Sequence, residues 1–239
     1  MKKLSLFIAM LLLFSCATFA QVGINSDNSA PDSSAGLDVN FNNKGFLPPR
    51  MSTTQINAIA TPAEGLMVYN ISIHSPVYYD GTGWKRTDGQ FYIGASYGGG
   101  IIFYLDGTGQ HGLISATSDQ STVAQWGCVS TSIPGTSSFI GTGQANTTAI
   151  VTHCGTLGIA AQICDALVLN GYSDWFLPSK DELNQMYVQK TIIGGFADNP
   201  FWSSSEYDNY WAWYQYFDYG SNDYYWKDAT FHVRAVRAF

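Results

Sequence analysis

The chain has 239 residues, of which 15% are aromatic and 12% charged, and its formal net charge is −7. This length allows one medium-sized domain and an additional segment. The acidic balance argues against nucleic acid and against anionic membrane surfaces as partners. Few charges among many Gly, Ser, Thr and Tyr residues favour an exported, β-rich protein.

The N-terminal sequence MKKLSLFIAMLLLFSCATFAQ has two lysines, then an apolar stretch, then small residues. This pattern predicts a signal peptide over residues 1–20, because the apolar run is about half of what spans a bilayer. The alternative is lipoprotein processing at Cys16, although Phe14 is bulky for that motif. Removing residues 1–20 changes the net charge from −7 to −9, because Lys2 and Lys3 are lost. We expect a secreted or cell-surface protein without membrane insertion.

Residues 21–90 are predicted to form a short β-rich stalk. They contain short apolar runs separated by turn residues: VGIN, GLDV, GFLPPRM, GLMVYN and PVYYDGTGWK. The stretch TTQINAI indicates one short helix, and Asp80-Gly81 indicates a hairpin. Since these runs supply few core residues, the segment is expected to act as a stalk or to contact a neighbouring chain.

Residues 91–239 are predicted to form an α+β domain. GGGIIFYLDGTGQHGLISAT indicates two strands around Asp106-Gly107, and residues 118–150 are interpreted as a loop. TLGIAAQICDALVLNGY has the apolar period of a helix, and Ser179 with Glu182 predicts a capping box at the start of a second helix. After Pro200 the pattern returns to strands, ending in FHVRAVRAF. Strands and helices are segregated along the chain, which indicates α+β.

Three cysteines remain after signal removal. Cys128 and Cys154 lie in loop-like sequence, and export makes a disulfide between them the expected pairing. Cys164 lies in the helical pattern and is expected to be a buried free thiol. Without a matching histidine spacing, these residues predict no metal site. We expect no cofactor.

Several separated motifs carry a family resemblance. NGYSDWFLPSKDEL (170–183), FWSSSEY (201–207) and VRAVRAF (233–239) resemble the DUF1566, or Lcl-type, domain of exported bacterial proteins, which is related to the C-type-lectin-like and sulfatase-modifying-factor folds. Residues 21–86 resemble a tail-fibre-like segment of exported Bacteroidota proteins. The resemblance implies a C-type-lectin-like domain with two helices and a small antiparallel sheet. It also implies that residues 99–105 pair with residues 234–239.

The resemblance does not bring the chemistry of related enzymes. Sulfatase-modifying enzymes use a pair of cysteines near the C-terminal end, whereas no cysteine follows Cys164. The EPN and WND strings of calcium-dependent lectins are absent as well. Asp181 and Glu182 fit the first turn of a helix, where carboxylates favour the dipole. The protein is therefore expected not to be an enzyme.

The segment WAWYQYFDYGSNDYYW (211–226) is the strongest functional signal. Its period of two predicts a strand with Trp211, Trp213 and Phe217 facing a core and tyrosines facing solvent. Tyrosine combined with small polar residues is typical of recognition surfaces. A glycan or protein ligand is predicted to bind Tyr207, Asp208, Tyr210, Tyr214, Tyr216, Asp218, Tyr219, Asn222, Asp223, Tyr224 and Tyr225.

Two alternatives remain open for this segment. In the first, the protein is a structural surface or fibre component, and the aromatic residues contact another chain. In the second, the binding surface is diversified by a retroelement that mutates adenines. The Tyr, Asp, Asn, Ser and His residues between 207 and 232 fit changes from Asn codons, whereas Trp211 and Trp226 do not. The tail-fibre resemblance further implies a homo-oligomer formed through the N-terminal segment.

Overall fold

The computed structural model describes residues 21–239, so the predicted signal peptide and Cys16 lie outside the described part. The chain divides into two compact units, Met1–Pro48 and Pro49–Phe239. In the first unit, β1 (Val22–Asn25) pairs in parallel with β2 (Leu37–Asn40). The side chains of Val22, Ile24 and Leu37 are about half exposed, so this ribbon has no apolar cover of its own.

The second unit begins with a four-stranded sheet. Its strands are β3 (Arg50–Met51), β4 (Met67–Asn70), β5 (Ser75–Tyr79) and β6 (Trp84–Arg86), in the order β3-β4-β5-β6. Helix α1 (Thr53–Asn57) confirms the predicted short helix, and the β5–β6 hairpin confirms the predicted turn at Asp80-Gly81. Val68 and Trp84 are buried in the same hydrophobic cluster as Ile102. Residues 49–90 therefore share a core with the rest of the second unit.

A second sheet contains the first and last strands that follow residue 90. Its members are β7 (Ser96–Tyr97), β8 (Gly100–Leu105), β9 (Gly112–Ser115) and β15 (Val236–Ala238), in the order β15-β9-β8-β7. The β8–β9 hairpin confirms the prediction around Asp106-Gly107. The expected pairing of residues 99–105 with 234–239 is wrong. Both edges of β8 are occupied by β7 and β9, so β15 pairs with β9.

The third sheet carries the aromatic segment. Its strands are β10 (Ser121–Gln125), β11 (Pro200–Glu206), β12 (Trp211–Tyr216), β13 (Asn222–Trp226) and β14 (Thr230–Val233), in the order β10-β14-β11-β12-β13. β11 and β14 are parallel, so this sheet is mixed, whereas all pairs of the second sheet are antiparallel, as expected of a small antiparallel sheet. FHVRAVRAF is not one strand. It leaves the third sheet at Arg234, whose buried guanidinium bonds to Asp119 and to the carbonyl of Ala116.

Four helices lie between or beside these sheets, where two were expected: α2 (Gly143–His153), α3 (Ala160–Asp165), α4 (Lys180–Val188) and α5 (Lys190–Ile193). Helix α2 lies in sequence interpreted as loop. Its inner face is partly polar: beside the buried Ile150, Asn146 and Thr147 are buried through hydrogen bonds to Ser204 and to the backbone of Leu177. α4 begins at the predicted capping box of Ser179 and Glu182. Strands predominate over helices, and the architecture is α+β.

The cysteines tie the loop after β10 to the end of α2. Cys128 and Cys154 form a disulfide with their Cα atoms 5.6 Å apart. Cys164 is a buried free thiol, and burial raises its pKa. Across residues 21–239, none of the helices combines the length and the apolar character needed to cross a bilayer.

Candidate functional site

The β12–β13 hairpin places the aromatic segment at one edge of the third sheet. β12 lies between β11 and β13, and β13 is the last strand. Trp211 is opposite Trp226, and Trp213 is opposite Tyr224. Because directly opposed residues of an antiparallel pair share a face, these four rings lie on one side of the sheet. Ala212, Tyr214 and Tyr225 lie on the other side.

The first face carries what we call the Trp226 cluster, formed by Tyr207, Tyr210, Trp211, Trp213, Tyr224 and Trp226. The Tyr207 and Tyr224 rings stack with centroids 3.9 Å apart and an angle of 11°. Trp211 lies 5.5 Å from Trp226 and 4.9 Å from Tyr224, and Tyr210 lies 6.0 Å from Trp226. Tyr207, Tyr210 and Trp226 are 42–49% exposed. The rings therefore form a continuous and accessible aromatic surface.

The expected burial of Trp211 and Trp213 differs from the structure, where both are only half buried. Helix α4 covers the far half of this face, where Gln215 and Phe217 are buried. The first turn of the helix reaches Trp213, where the Lys180 ammonium lies 3.9 Å from the centre of the ring. Period two correctly placed Trp211 and Trp213 on one face and Tyr214 on the other, but Tyr210, which was expected beside Tyr214, packs against Trp226. The pattern also could not show how far the helix extends over the first face.

The opposite face carries the Tyr214 cluster, formed by Tyr214, Tyr216, Tyr219 and Tyr225. Tyr214 contacts the Phe231 ring at 5.0 Å and lies 6.3 Å from Trp202, which is fully buried. Tyr216 and Tyr219 stack at 4.9 Å. Burial, followed by the negative charge of Asp223, raises the pKa of the Tyr214 hydroxyl. This cluster is joined to the core through Tyr214, whereas Tyr219 and Tyr225 are exposed.

The eleven residues predicted to bind a ligand are thus divided by the sheet. Tyr207, Tyr210 and Tyr224 belong to the Trp226 cluster, whereas Tyr214, Tyr216, Tyr219 and Tyr225 belong to the Tyr214 cluster. Asn222 points its amide towards Asn184 of α4. Trp211, Trp213 and Trp226 were not among the predicted ligand-binding residues. The signal that could have found them is the register of the hairpin, which pairs two tryptophans.

Aspartates surround the aromatic surface. Asp208, Asp218, Asp223 and Asp228 are exposed, and in the described part of the chain none of them forms a salt bridge. Asp208 accepts hydrogen bonds from the backbone N–H groups of Tyr210 and Trp211 at 2.8 and 2.9 Å, which fixes the turn before β12. The pKa of Tyr224 is raised, first by its hydrogen bond with Tyr207 and then by charges that include Asp223 and Asp208. The surface is therefore both aromatic and negatively charged.

A buried ion pair fixes the base of the hairpin. The Lys227 ammonium contacts a carboxylate oxygen of Glu206 at 2.5 Å, and their side chains are 0% and 8% exposed. Lys227 also donates to the carbonyl of Thr131 and lies over the Trp126 ring. Glu206 accepts from the backbone N–H of Ile133. Loss of hydration lowers the pKa of Lys227, and Glu206 opposes that shift. The pair links the disulfide-closed loop to the hairpin.

The remaining candidates of the sequence have structural partners. Ser203, Ser204 and Ser205 are buried, and the Ser203 hydroxyl donates to the carbonyl of Trp213. Glu182 is buried and accepts from the backbone N–H of Ser179 and of Gly141, both at 2.8 Å. Burial raises the pKa of this carboxyl group above its ordinary value of 4.5. Over residues 21–239, no group of three His, Cys, Asp or Glu side chains is arranged to hold a metal ion.

Comparisons with known proteins match two parts of the sequence. Residues 115–237, slightly more than half of the chain, match the family described as Lcl C-terminal domain. Residues 23–101 match the family described as phage tail like trimerisation region. No curated protein matches the chain. The first match contains the whole third sheet and its aromatic hairpin, and the second extends from the second residue of β1 through β7.

Proposed function

The chain belongs to the Lcl C-terminal domain family, and on this premise we propose that it is an exported surface or fibre-like protein that binds a glycan or a protein ligand. The Trp226 cluster is the observation that carries the proposal. It joins six aromatic rings on one face of a hairpin, three of them about half exposed. Exposed aromatic patches of this kind mark interaction sites.

The hairpin has the rigidity that a binding surface requires. Trp202 is fully buried beneath it and donates to the carbonyl of Ala124, and Phe217 is buried among Phe196, Phe201 and Tyr187. A rigid surface loses little conformational entropy when a ligand binds. Tyrosine and tryptophan add large contact areas at a low entropy cost and keep a polar group at the ring edge. No catalytic group or cofactor is part of this proposal.

Ligand screening of residues 21–239 tests the proposal. The purified protein is applied to glycan arrays and to surface proteins of neighbouring cells, and hits are measured again with Trp226→Ala and Tyr210→Ala. Each substitution is expected to weaken binding about fivefold or more, as for truncated aromatic contacts at an interface. Phe139→Ala is the matched control, because Phe139 is 71% exposed and lies outside the hairpin. Equal binding by all variants would exclude the Trp226 cluster as the site.

We propose further that the N-terminal part forms a homotrimer, as the name of the family matching residues 23–101 indicates. The parallel β1–β2 ribbon exposes Val22, Ile24 and Leu37. A two-stranded ribbon is at best marginally stable alone, so other copies of the chain supply the missing cover. Light scattering on residues 21–239 is expected to give three times the protomer mass. Ile24→Asp and Leu37→Asp should reduce it to the protomer mass, with Leu157→Asp, at an exposed site of the second unit, as control.

Two finer proposals accompany this function. The domain is C-type-lectin-like, supported by β8, β9 and β15 lying in one sheet. The second proposal is that the hairpin surface is diversified by a retroelement, and the pattern of exposed and buried side chains supports it. Residues that fit changes from Asn codons, such as Tyr207 and Tyr219, are exposed, whereas Trp202 and Phe217 are buried. Deep sequencing of codons 201–239 across a cell population tests diversification. A single invariant sequence would leave a surface of fixed specificity.

A structural fibre component is the second candidate function. The three exposed rings of the Trp226 cluster, Tyr207, Tyr210 and Trp226, offer a surface against which another chain can pack. This candidate predicts that Trp226→Ala changes the mass of the assembly. Ligand binding predicts that the mass stays the same while affinity for the ligand falls. The light-scattering measurement on this variant therefore separates the two functions.

A further inference from the structure

The charge around the Trp226 cluster favours a cationic partner. Asp208 carries its carboxylate beside Tyr210 and Trp211, Asp228 follows Trp226 by two residues, and both are exposed without a basic partner among residues 21–239. The one lysine of β13 and its flanking turn, Lys227, is buried on Glu206 and adds no positive charge to the surface. A partner of the same sign would be repelled, and one of opposite sign would be attracted from a distance. Anionic glycans therefore fit this surface poorly.

The chain shows directly that these rings accept ammonium groups. Lys180 lies 3.9 Å from the centre of the Trp213 ring, which is a member of the cluster. Lys190 and Lys227 lie over the Tyr187 and Trp126 rings in the same way. Among the described residues, no cation of the chain lies over Trp226, the most exposed tryptophan of the cluster. Trp226 therefore has a free ring face next to acidic side chains. A cation over the face of a tryptophan ring is attracted by the ring's electrons.

The backbone of β13 favours an extended peptide over a small cation. The N–H of Lys227 donates to the carbonyl of Tyr210, and the N–H of Tyr216 donates to Ser221. In an antiparallel ladder, hydrogen-bonded pairs alternate with pairs whose backbone groups point outward. The carbonyl of Tyr224 and the N–H of Trp226 therefore point away from β12, at the open edge of the sheet. Such an edge pairs with a strand from another protein.

We infer that the ligand of the Trp226 cluster is an extended protein segment bearing lysine or arginine, which adds to the β13 edge and places a cation over Trp226. The inference rests on the proposed binding function and names its ligand class. Alternate residues of an added strand face the same side. One lysine can thus contact the Trp226 ring, and a second can approach Asp208. The backbone of the segment pairs with the groups of Tyr224 and Trp226.

Labelled, capped octapeptides test the inference by fluorescence anisotropy with residues 21–239. One peptide alternates Thr with Lys, one Thr with Glu and one Thr with Gln. We expect binding of the Lys peptide alone at about 0.02 M salt, and a large loss of affinity at about 0.5 M salt. Asp208→Asn combined with Asp228→Asn should weaken binding about tenfold, and Trp226→Ala about fivefold. Asp165→Asn, at an exposed aspartate of α3, is the matched control for charge.

A fourth peptide tests the pairing with the sheet edge. It is the Lys peptide with N-methyl groups on every second residue, which keeps the charges and removes backbone donors. It should bind at least tenfold more weakly than its parent. Equal binding of the Lys and Glu peptides, or full binding of the methylated peptide, would overturn the inference. In that event, a signal on the glycan array that Trp226→Ala abolishes would still support the proposed function. If neither the peptides nor the glycan array gave a signal that depends on Trp226, the proposed function would be wrong as well.

Discussion

Glu206→Ala tests the strongest energetic claim of the structure, which is that one carboxylate stabilises a buried lysine beneath the hairpin. The Lys227 side chain is 0% exposed, and Glu206 is the one carboxylate that contacts it within the described residues. Without Glu206, the ammonium retains the carbonyl of Thr131 and the face of Trp126. A buried charge left without its partner costs about 3–5 kcal/mol. For a domain of this size we expect the melting temperature to fall by about 10 °C.

Thermal unfolding, monitored by circular dichroism, gives the change in melting temperature. Two further variants separate the effect of the charge from the effect of packing. Lys227→Met removes the charge, and Glu206→Gln combined with Lys227→Met leaves no unpaired ion. The double variant should recover most of the loss caused by Glu206→Ala. A fall of less than about 2 °C for Glu206→Ala, or a double variant less stable than Glu206→Ala, would refute the reasoning.

The pH dependence of the Glu206→Ala variant carries a definite sign. Loss of hydration already lowers the pKa of Lys227 below its ordinary value of 10.5, and removing Glu206 lowers it further. The folded state then binds fewer protons than the unfolded state between the two pKa values. Stability therefore rises with pH in that window, so the penalty of Glu206→Ala should shrink as the pH approaches 10.5. A penalty that is constant from neutral to alkaline pH would contradict this origin.

Three further predictions concern the framework. Burial raises the pKa of Glu182 in the folded state. The stability that its protonation contributes is therefore complete below pH 4.5 and is lost as the pH rises through the pKa of the folded state. Glu182→Gln should flatten this part of the curve of stability against pH, measured by urea unfolding. Cys128→Ser with Cys154→Ser should cost about 3 kcal/mol, measured in the same way, and reducing agent should then have no further effect. Trp202→Ala should cost about 3–5 kcal/mol, because the ring is fully buried and its N–H donates to Ala124; unchanged stability would contradict its role beneath the hairpin.

Local patterns predicted those features that neighbouring residues alone determine. The α4 capping box depends on Ser179 and Glu182, three residues apart, and it formed as predicted. The β8–β9 hairpin depends on the turn at Asp106, whose carboxylate accepts from the N–H of Thr108 and of Gly109. The strand character of residues 211–216 was also predicted from their alternation. In each case the energy that selects the structure lies within a few residues.

The misassigned features depend on distant partners. Helix α2 has few apolar residues, and it is held by buried Asn146 and Thr147, whose partners Ser204 and Leu177 are far along the chain. The break at Arg234 follows from the guanidinium bonding to Asp119 and to the carbonyl of Gly195. None of these partners can be recognised from the local pattern. The same holds for the candidate site, where the extent of α4 decides which tryptophans stay open.

The path of the last strands has a consequence for when the protein can fold. β14 lies between β10 and β11, whereas β15, a few residues later, closes the other sheet beside β9. Until residues 230–238 have been synthesised, β10 has no neighbour in its sheet and β9 has one open edge. A nascent chain that lacks them cannot complete either sheet, and sheets built from distant strands form slowly. These two sheets can therefore be completed only at the very end of synthesis, whereas the sheet of β3–β6 needs none of these residues.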